Sequence, residues 1–334
     1  MQTRRAVLLT RFFGGRRDKI VSFRGNGRVQ FRQLRYFVAV VEAGSISRAA
    51  TTVHVAQPAL SQQIADLEER IGVQLLLRTP RGVKATPAGE TLFREASLIL
   101  HRMDQLPGML KSAIGETQGT VRLGIVASLA GPLVGVIVEH FKAELPQVRL
   151  ICADGDSGSL VARVQSHALD LALVFEDELV SAHSRNPIFS QQLFLIGKDA
   201  AKFKKPHVSL EDLVGLPLIS PGEQRNRRQL IDRAFAARNL VPNIVTEAKN
   251  LSSELSAVRA GVGNTLLNVG ENPDGLESFA KPVPIKPPLY MTCCAIFNND
   301  TTLSAATEAV RSSLIKVVKD FIRTTKRRGA KVID

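Results

Sequence analysis

The chain has 334 residues, too many for one ordinary hydrophobic core, so two or three domains are expected. Its 44% hydrophobic and 22% charged residues describe a globular protein, and 44 Lys/Arg against 31 Asp/Glu favour a polyanionic partner. Three cysteines (Cys152, Cys293, Cys294) are too few for a disulfide framework and fit a reducing cytoplasm, and no apolar run reaches the ~20 residues that span a bilayer.

The positive charge is uneven. Residues 1–30 carry eight Lys/Arg and one Asp, with four glycines and no sustained period. The AVLLT run there is too short for a signal-peptide core and is cut off by Arg11. This stretch reads as a disordered basic extension, which either adds weak phosphate attraction or has no role.

From Phe31 the pattern becomes helical, with Leu34, Phe37, Val38 and Val41 on one stripe that Gly44 ends. Two more helices are expected at 47–54 and 57–71. RTPRGVKATP then has the Gly/Pro composition of a β-hairpin or wing. A longer helix should run from Ala88 to about Gln105, where Pro107-Gly108 ends or kinks it. Leu92, Ala96, Ile99, Met103, Leu106 and Leu110 alternate spacings of four and three, the period of a helix–helix seam. A helix packed only on its own domain is the alternative.

After GETQGT the chain changes character. VRLGIVAS, VRLICADG, DLALVFE, QLFLIGK, PLIS, NIVTEA, TLLNV and MTCCAIF are short β-rich runs. Helical stretches at 133–144, 159–166, 227–239, 251–260 and 305–322 lie between them. Such alternation calls for parallel α/β sheets.

On a wheel of residues 57–71, Leu60, Ile64, Leu67 and Ile71 share a narrow arc and belong to a core. Opposite lie Pro58, Ser61, Gln62 and Ala65, with Gln57 at the margin. This outer face is small, neutral and rich in hydrogen-bonding groups, unlike the Glu/Lys mosaic of an idle surface helix. A helix that enters a major groove needs short side chains, amides and hydroxyls near its N-terminus, and carboxylates kept away. Asp66, Glu68 and Glu69 come later. Pro58 suits the first turn, and the helix amides and dipole would face phosphate. Ser47 and Arg48 open the preceding helix, where a hydroxyl can cap it and touch DNA. Arg78, Arg81 and Lys84 flank the wing, as phosphate or minor-groove contacts require.

The stretch LRYFVAVVEAGSISRAATTVHVAQPALSQQIADLEERIGVQLLLRTPRGVKATPAGE resembles the winged helix-turn-helix of the LysR-type transcriptional regulators. The similarity rests on Leu34 and Phe37, Gly44-Ser45, Ala49-Ala50, Gln57-Pro58-Ala59-Leu60-Ser61, Leu67-Glu68, Ile71-Gly72, Arg78 and Thr86-Pro87-Ala88-Gly89. Leu76 departs from the family's usual Phe. LLLRTPRGV is similar to the nitrogen assimilation control branch. The resemblance implies DNA contacts by Ser47, Arg48, Gln57, Pro58, Ser61, Gln62, Arg78 and Arg81. It also implies a dimerising linker helix, a homodimer or dimer-of-dimers tetramer on promoter DNA, and RNA polymerase as a further partner.

The second half resembles the family's effector-binding region, two α/β subdomains like those of type 2 periplasmic solute-binding proteins. The implied fold class is α/β with an N-terminal all-α winged helix-turn-helix. The domains expected are a basic extension at 1–30, the DNA-binding domain at 31–88, and a linker helix and hinge at 89–118. An effector domain at 119–325 follows (subdomain I at 119–188 plus 290–325, subdomain II at 189–289), then a basic tail at 326–334. A small-molecule effector is expected in the cleft, with no other cofactor and no metal. Ser128 lies at a strand-to-helix turn, where its hydroxyl and the following amides can receive an anion. Ser220 and Gly222 are placed on the opposite wall, with Thr246 and Thr265 near the cleft. Each of these also has a plain use as a helix cap or turn residue.

Two other classes were weighed. The six histidines are scattered, with no Cys/His metal spacing, GxSxG elbow or phosphate loop, so catalysis is not expected. Asp154-Gly155-Asp156 reads as a solvated loop. A transport solute-binding protein would need an export signal and would have no use for the N-terminal device.

Overall fold

The computed structural model describes residues 29–80, 82–176, 184–222, 226–268, 282–298 and 303–333. The extension at 1–30, apart from Val29 and Gln30, and Arg81 therefore lie outside the described residues. The chain divides into two compact units, residues 1–93 and 94–334.

The first unit contains α1 (Phe31–Ala43), α2 (Ile46–Thr52), α3 (Gln57–Ile71), β1 (Leu76–Thr79), β2 (Gly82–Ala85) and the start of α4 (Pro87–Ser112). Helix α1 buries Leu34, Phe37 and Val40, a strict i, i+3, i+6 row, whereas Val38 and Val41 lie beside it and are only partly covered. Helix α2 starts one residue earlier and ends two residues earlier than expected. Ser45 accepts from the Arg48 amide and caps it, and His54 takes a left-handed φ of 55° that a helix cannot continue through. Helix α3 has the expected bounds. It buries Leu60, Ile64 and Leu67 and ends on Gly72 with φ 78°. With Phe37, Val40, Ala49, Ala50, Leu75 and Leu76 these residues form one core. Leu76, in place of the family's Phe, is 5% exposed and fills a core position.

The wing is the antiparallel pair β1–β2, in register from Leu76↔Ala85 to Thr79↔Gly82. It is moored by backbone: the Val83 amide donates to Gly44 O at 2.9 Å. A Cβ on Gly82 would come within 2.5 Å of that same carbonyl oxygen, so only glycine allows the approach. Gly89, in the first turn of α4, has the same reason: its Cβ would lie 2.0 Å from Leu75 O. Thr86 fixes the entry to α4, accepting from the Gly89 amide at 3.0 Å and donating to Gln74 O at 2.8 Å.

Helix α4 does not stop near Gln105. It runs through Pro107 to Ser112. Proline removes one i to i−4 bond there, but the next residue, Gly108, is buried against the Gln118 carbonyl, and that packing holds the last turn in place. The expected seam divides: Ala96 is buried, while Ile99, Met103, Leu106 and Leu110 are exposed.

The second unit continues with β3 (Gly119–Val126), α5 (Ala127–Glu144), β4 (Val148–Gly155), α6 (Ser157–Gln165), β5 (Leu171–Phe175) and β6 (Ser184–Ile196). There follow α7 (Leu210–Leu213), β7 (Leu218–Pro221), α8 (Asn226–Ala236), β8 (Ile244–Ala248), α9 (Leu251–Arg259) and β9 (Thr265–Asn268). The chain closes with β10 (Val283–Pro284), β11 (Tyr290–Phe297), α10 (Ala305–Thr325) and β12 (Ala330–Val332). The sheets are mixed, which corrects the all-parallel expectation. β3 pairs in parallel with β4 and β5, and β7 with β8, but β5–β11 and β11–β6 are antiparallel. The reason is connectivity. β6 and β11 carry the chain out of one lobe and back into it, so they must run in opposite directions. β6 pairs with β11 over Ser184 to Gln192 and then with β9 over Leu193 to Ile196, serving two lobes with one strand.

The expected basic tail at 326–334 is instead structural. β12 adds to β6 with Lys331 opposite Ser190, and the guanidinium of Arg328 stacks 5.0 Å over the Phe194 ring. At the end of β9 Asn268 is fully buried, and among the described residues neither its Nδ2 nor its Oδ1 has a hydrogen-bond partner. Such an amide bears its full desolvation penalty. Asn268→Leu should therefore stabilise the fold by about 1–2 kcal/mol, raising the melting temperature; an unchanged or lower value would show that the amide is satisfied.

Candidate functional site

Two places gather the expected residues. The first is the α2–α3 pair with the wing. Gln57 and Pro58 form the first turn of α3 and are fully exposed, as is Gln62 one turn on. Gln62 Nε2 donates to Asp66 Oδ1 at 2.8 Å, which holds that carboxylate back along the helix. Ser61 Oγ accepts from Arg78 Nη2 at 3.2 Å, so the helix and β1 present their candidate contacts as one joined surface. Among the described residues this face carries hydroxyl, amide and guanidinium groups without an intervening carboxylate.

Ser47 is exposed within α2 but does not cap it, because Ser45 does. Arg48 donates through Nε and Nη2 to Ala43 O at 3.2 and 2.5 Å. Its charge thus closes the carbonyl end of α1, which has no basic residue in its own last turn. Lys84 is exposed on β2. Glu68, a carboxylate kept away from DNA, also builds the site: its Oε1 accepts from the amides of Leu75 and Leu76 at 2.7 and 2.9 Å and anchors β1 on α3. Ser45 could have been read as a cap from its place before an apolar run. The Glu68 bond could not, since it joins a helix to backbone beyond the next turn.

The second place is a cavity of about 220 Å³ in the second unit. One wall comes from the ends of β3 and β4 and the starts of α5 and α6 (Ser128, Asp154, Asp156, Ser157), with Phe175 and Met291. The other comes from β7, α8, β8 and α9, including Arg227, Asn250 and Glu254. Of the five residues expected there, Ser128 lines it. Ser220, Gly222, Thr246 and Thr265 are not among the lining residues. Ser220 is buried and accepts from Arg228 Nη1 at 3.3 Å. Thr246 sits on β8 opposite Ile219. Thr265 stands behind the wall and donates to Glu254. For Ser220 the reason is pleat alternation: the next residue, Pro221, faces the cavity, and consecutive strand residues face opposite sides.

Asp154-Gly155-Asp156 is not a solvated loop. It ends β4 and enters α6, with Asp156 Oδ1 capping the Ser159 amide at 3.0 Å. Arg227 and Glu254 form a buried ion pair, their side chains 13% and 1% exposed, and Arg227 Nη1 also donates to Leu266 O at 3.4 Å. Sequence reasoning missed this pair because its members lie 27 residues apart on different helices. Helices α6 and α9 begin at the cavity with side-chain caps from Asp156 and Asn250, whereas α5 begins there with none. Among the described residues no cluster of metal-ligating side chains occurs, and no helix is long and apolar enough to cross a membrane.

Comparison with known proteins agrees on both units. The family model described as bacterial regulatory helix-turn-helix protein, lysR family, matches residues 31–90, and that of the LysR substrate binding domain matches residues 115–319. The nitrogen assimilation regulatory protein nac of Escherichia coli strain K12 is 30% identical over 240 residues, covering 72% of this chain and 78% of that protein. Among solved structures, full-length CbnR in complex with its target DNA shares the fold at a TM-score of 0.58 and 18% identity, covering 88% of this chain and all of that one. A full-length OxyR variant from Pseudomonas aeruginosa does so at a TM-score of 0.60 and 19% identity, covering 92% of this chain and 99% of that one. The chain belongs to the LysR family of DNA-binding transcriptional regulators, with an N-terminal helix-turn-helix and a C-terminal effector-binding domain.

Proposed function

We propose that this regulator reads promoter DNA with Gln57, Pro58, Ser61, Gln62 and Arg78 at its centre and Ser47 and Arg48 at the flank. Arg81 completes the wing contact in this reading. The observation that carries it is the Ser61–Arg78 hydrogen bond, which joins the recognition helix to the wing with no carboxylate between them. A gel shift of the purified full-length chain on the DNA upstream of its own gene tests the reading. Failure to bind any fragment in a genome-wide pull-down would remove it.

A small-molecule effector in the cavity shifts the equilibrium between lobe arrangements, and so the spacing of two DNA-binding units. The domain division at 31–88, 89–118 and 119–325 is part of the same proposal, as are RNA polymerase as a partner and a non-catalytic role in the cytoplasm. The exposed stripe Ile99, Met103, Leu106 and Leu110 supports a homodimer through α4, alone or paired into a tetramer. Leu106→Glu with Leu110→Glu should convert the protein to monomer in sedimentation equilibrium; an unchanged mass would move the dimer contact elsewhere.

A further inference from the structure

This inference rests on the reading that the effector occupies the cavity. Among the described residues, four charged ones line it: Asp154, Asp156, Arg227 and Glu254. Three are already engaged. Arg227 and Glu254 neutralise each other, and Asp156 caps α6. Asp154 is exposed there and has no hydrogen-bond or ion-pair partner among the described residues. The helix starts show the complementary asymmetry. α6 and α9 are capped by side chains, while α5 is not, which leaves its first amides and the Ser128 hydroxyl open at the cavity wall.

The unanswered carboxylate and the unanswered helix start are neighbours. β4 runs parallel to β3 with Asp154 beside Ile125 and Gly155 beside Val126, the residue from which α5 departs. Paired strands lie roughly 4.8 Å apart, so the two groups sit within reach of one small molecule. We infer that the effector is a small zwitterion of the α-amino acid class, its ammonium at Asp154 and its carboxylate at the start of α5 and Ser128. A dicarboxylate would place its second negative charge against Asp154. A simple amine would leave the α5 amides unanswered. Phe175, Leu251 and Met291 supply an apolar wall for the rest of the molecule.

The test is a thermal-shift and calorimetric screen of the full-length protein with each of the twenty L-α-amino acids. Every hit is compared with its desamino acid and its decarboxylated amine. An amino acid should bind, and either analogue should bind roughly 10- to 100-fold more weakly, the value of one hydrogen-bonded charge. Asp154→Asn should weaken the amino acid by a similar factor while sparing the desamino acid, and Ser128→Ala should weaken both. The unliganded melting temperature of each variant checks folding. A desamino acid that binds more tightly than its amino acid, or an affinity indifferent to Asp154→Asn, overturns the zwitterion. If Ser128→Ala still weakens that ligand, the cavity reading survives. Hits indifferent to both variants, or no hit of any class, overturn the two together.

Discussion

Ser61→Glu should abolish specific DNA binding without unfolding the protein. Ser61 lies on the second turn of α3, only partly exposed, with its hydroxyl 3.2 Å from Arg78 Nη2. A carboxylate there would capture the Arg78 guanidinium and set a negative charge against phosphates and base acceptors. Like charges at a close interface cost several kcal/mol, so affinity should fall on the order of 100-fold or more. Arg78→Ala is the milder companion. It should cost about tenfold and lower the salt slope of log K by about 1, because one phosphate contact is lost. Anisotropy titrations of the promoter fragment at several salt concentrations read both effects. Wild-type affinity in Ser61→Glu would remove α3 from the groove.

The second large effect is expected far from DNA. Asp170, 2% exposed, gathers four polar partners from three elements, β3, α4 and α10. Its Oδ2 accepts from the Arg122 amide at 2.6 Å. Its Oδ1 accepts from Gln105 Nε2 at 2.8 Å and lies 3.1 Å from His101 Nε2 and 3.5 Å from Thr307 Oγ1. The Arg122 guanidinium in turn reaches Asp104 at 2.7 Å, so three residues of α4 are tied to the sensor, two through the Asp170 carboxylate and one through Arg122. Asp170→Ala leaves the Arg122 amide and the half-buried Gln105 and His101 without this acceptor, each unmet donor costing about 1–3 kcal/mol. For a domain of this size the melting temperature should drop on the order of 10 °C. A much smaller shift in a thermal melt would mean that the linker helix is held by something else. Asp170→Asn, which keeps the shape and one acceptor, should lose less.

The sequence made the DNA-binding unit legible because its information is local. Leu60, Ile64 and Leu67 repeat at helical spacing, Pro58 and Gly72 mark the ends of α3, and a short Gly/Pro segment makes the wing. Each is set by residues within about one turn of one another. Glycines at 82 and 89 also stand in the sequence, but the backbone approaches that require them appear only when α1, the wing and α4 are packed.

The linker helix shows the limit of local rules. Pro107 predicts an end, and by itself it disfavours a helix interior. The packing of Gly108 on Gln118 overrides it. The tail at 326–334 reads as charge alone, yet Arg328 and Lys331 lie flat over the Phe194 and Tyr290 rings as β12 extends the sheet.

The cavity departs furthest from sequence reasoning. Ser128 was reachable because a strand-to-helix turn announces itself. Asp154 stands in the sequence only as part of an apparent loop, and the Arg227–Glu254 pair was not reachable, since its members come from α8 and α9, 27 residues apart. The sequence alone determined the class of the protein, the helix proposed to face DNA and the side chains on that helix's outer face, because periodicity and caps act over a few residues. Tertiary structure decided which charges answer one another across the cavity and which are left for a ligand, because that pairing depends on distances between segments remote in the chain.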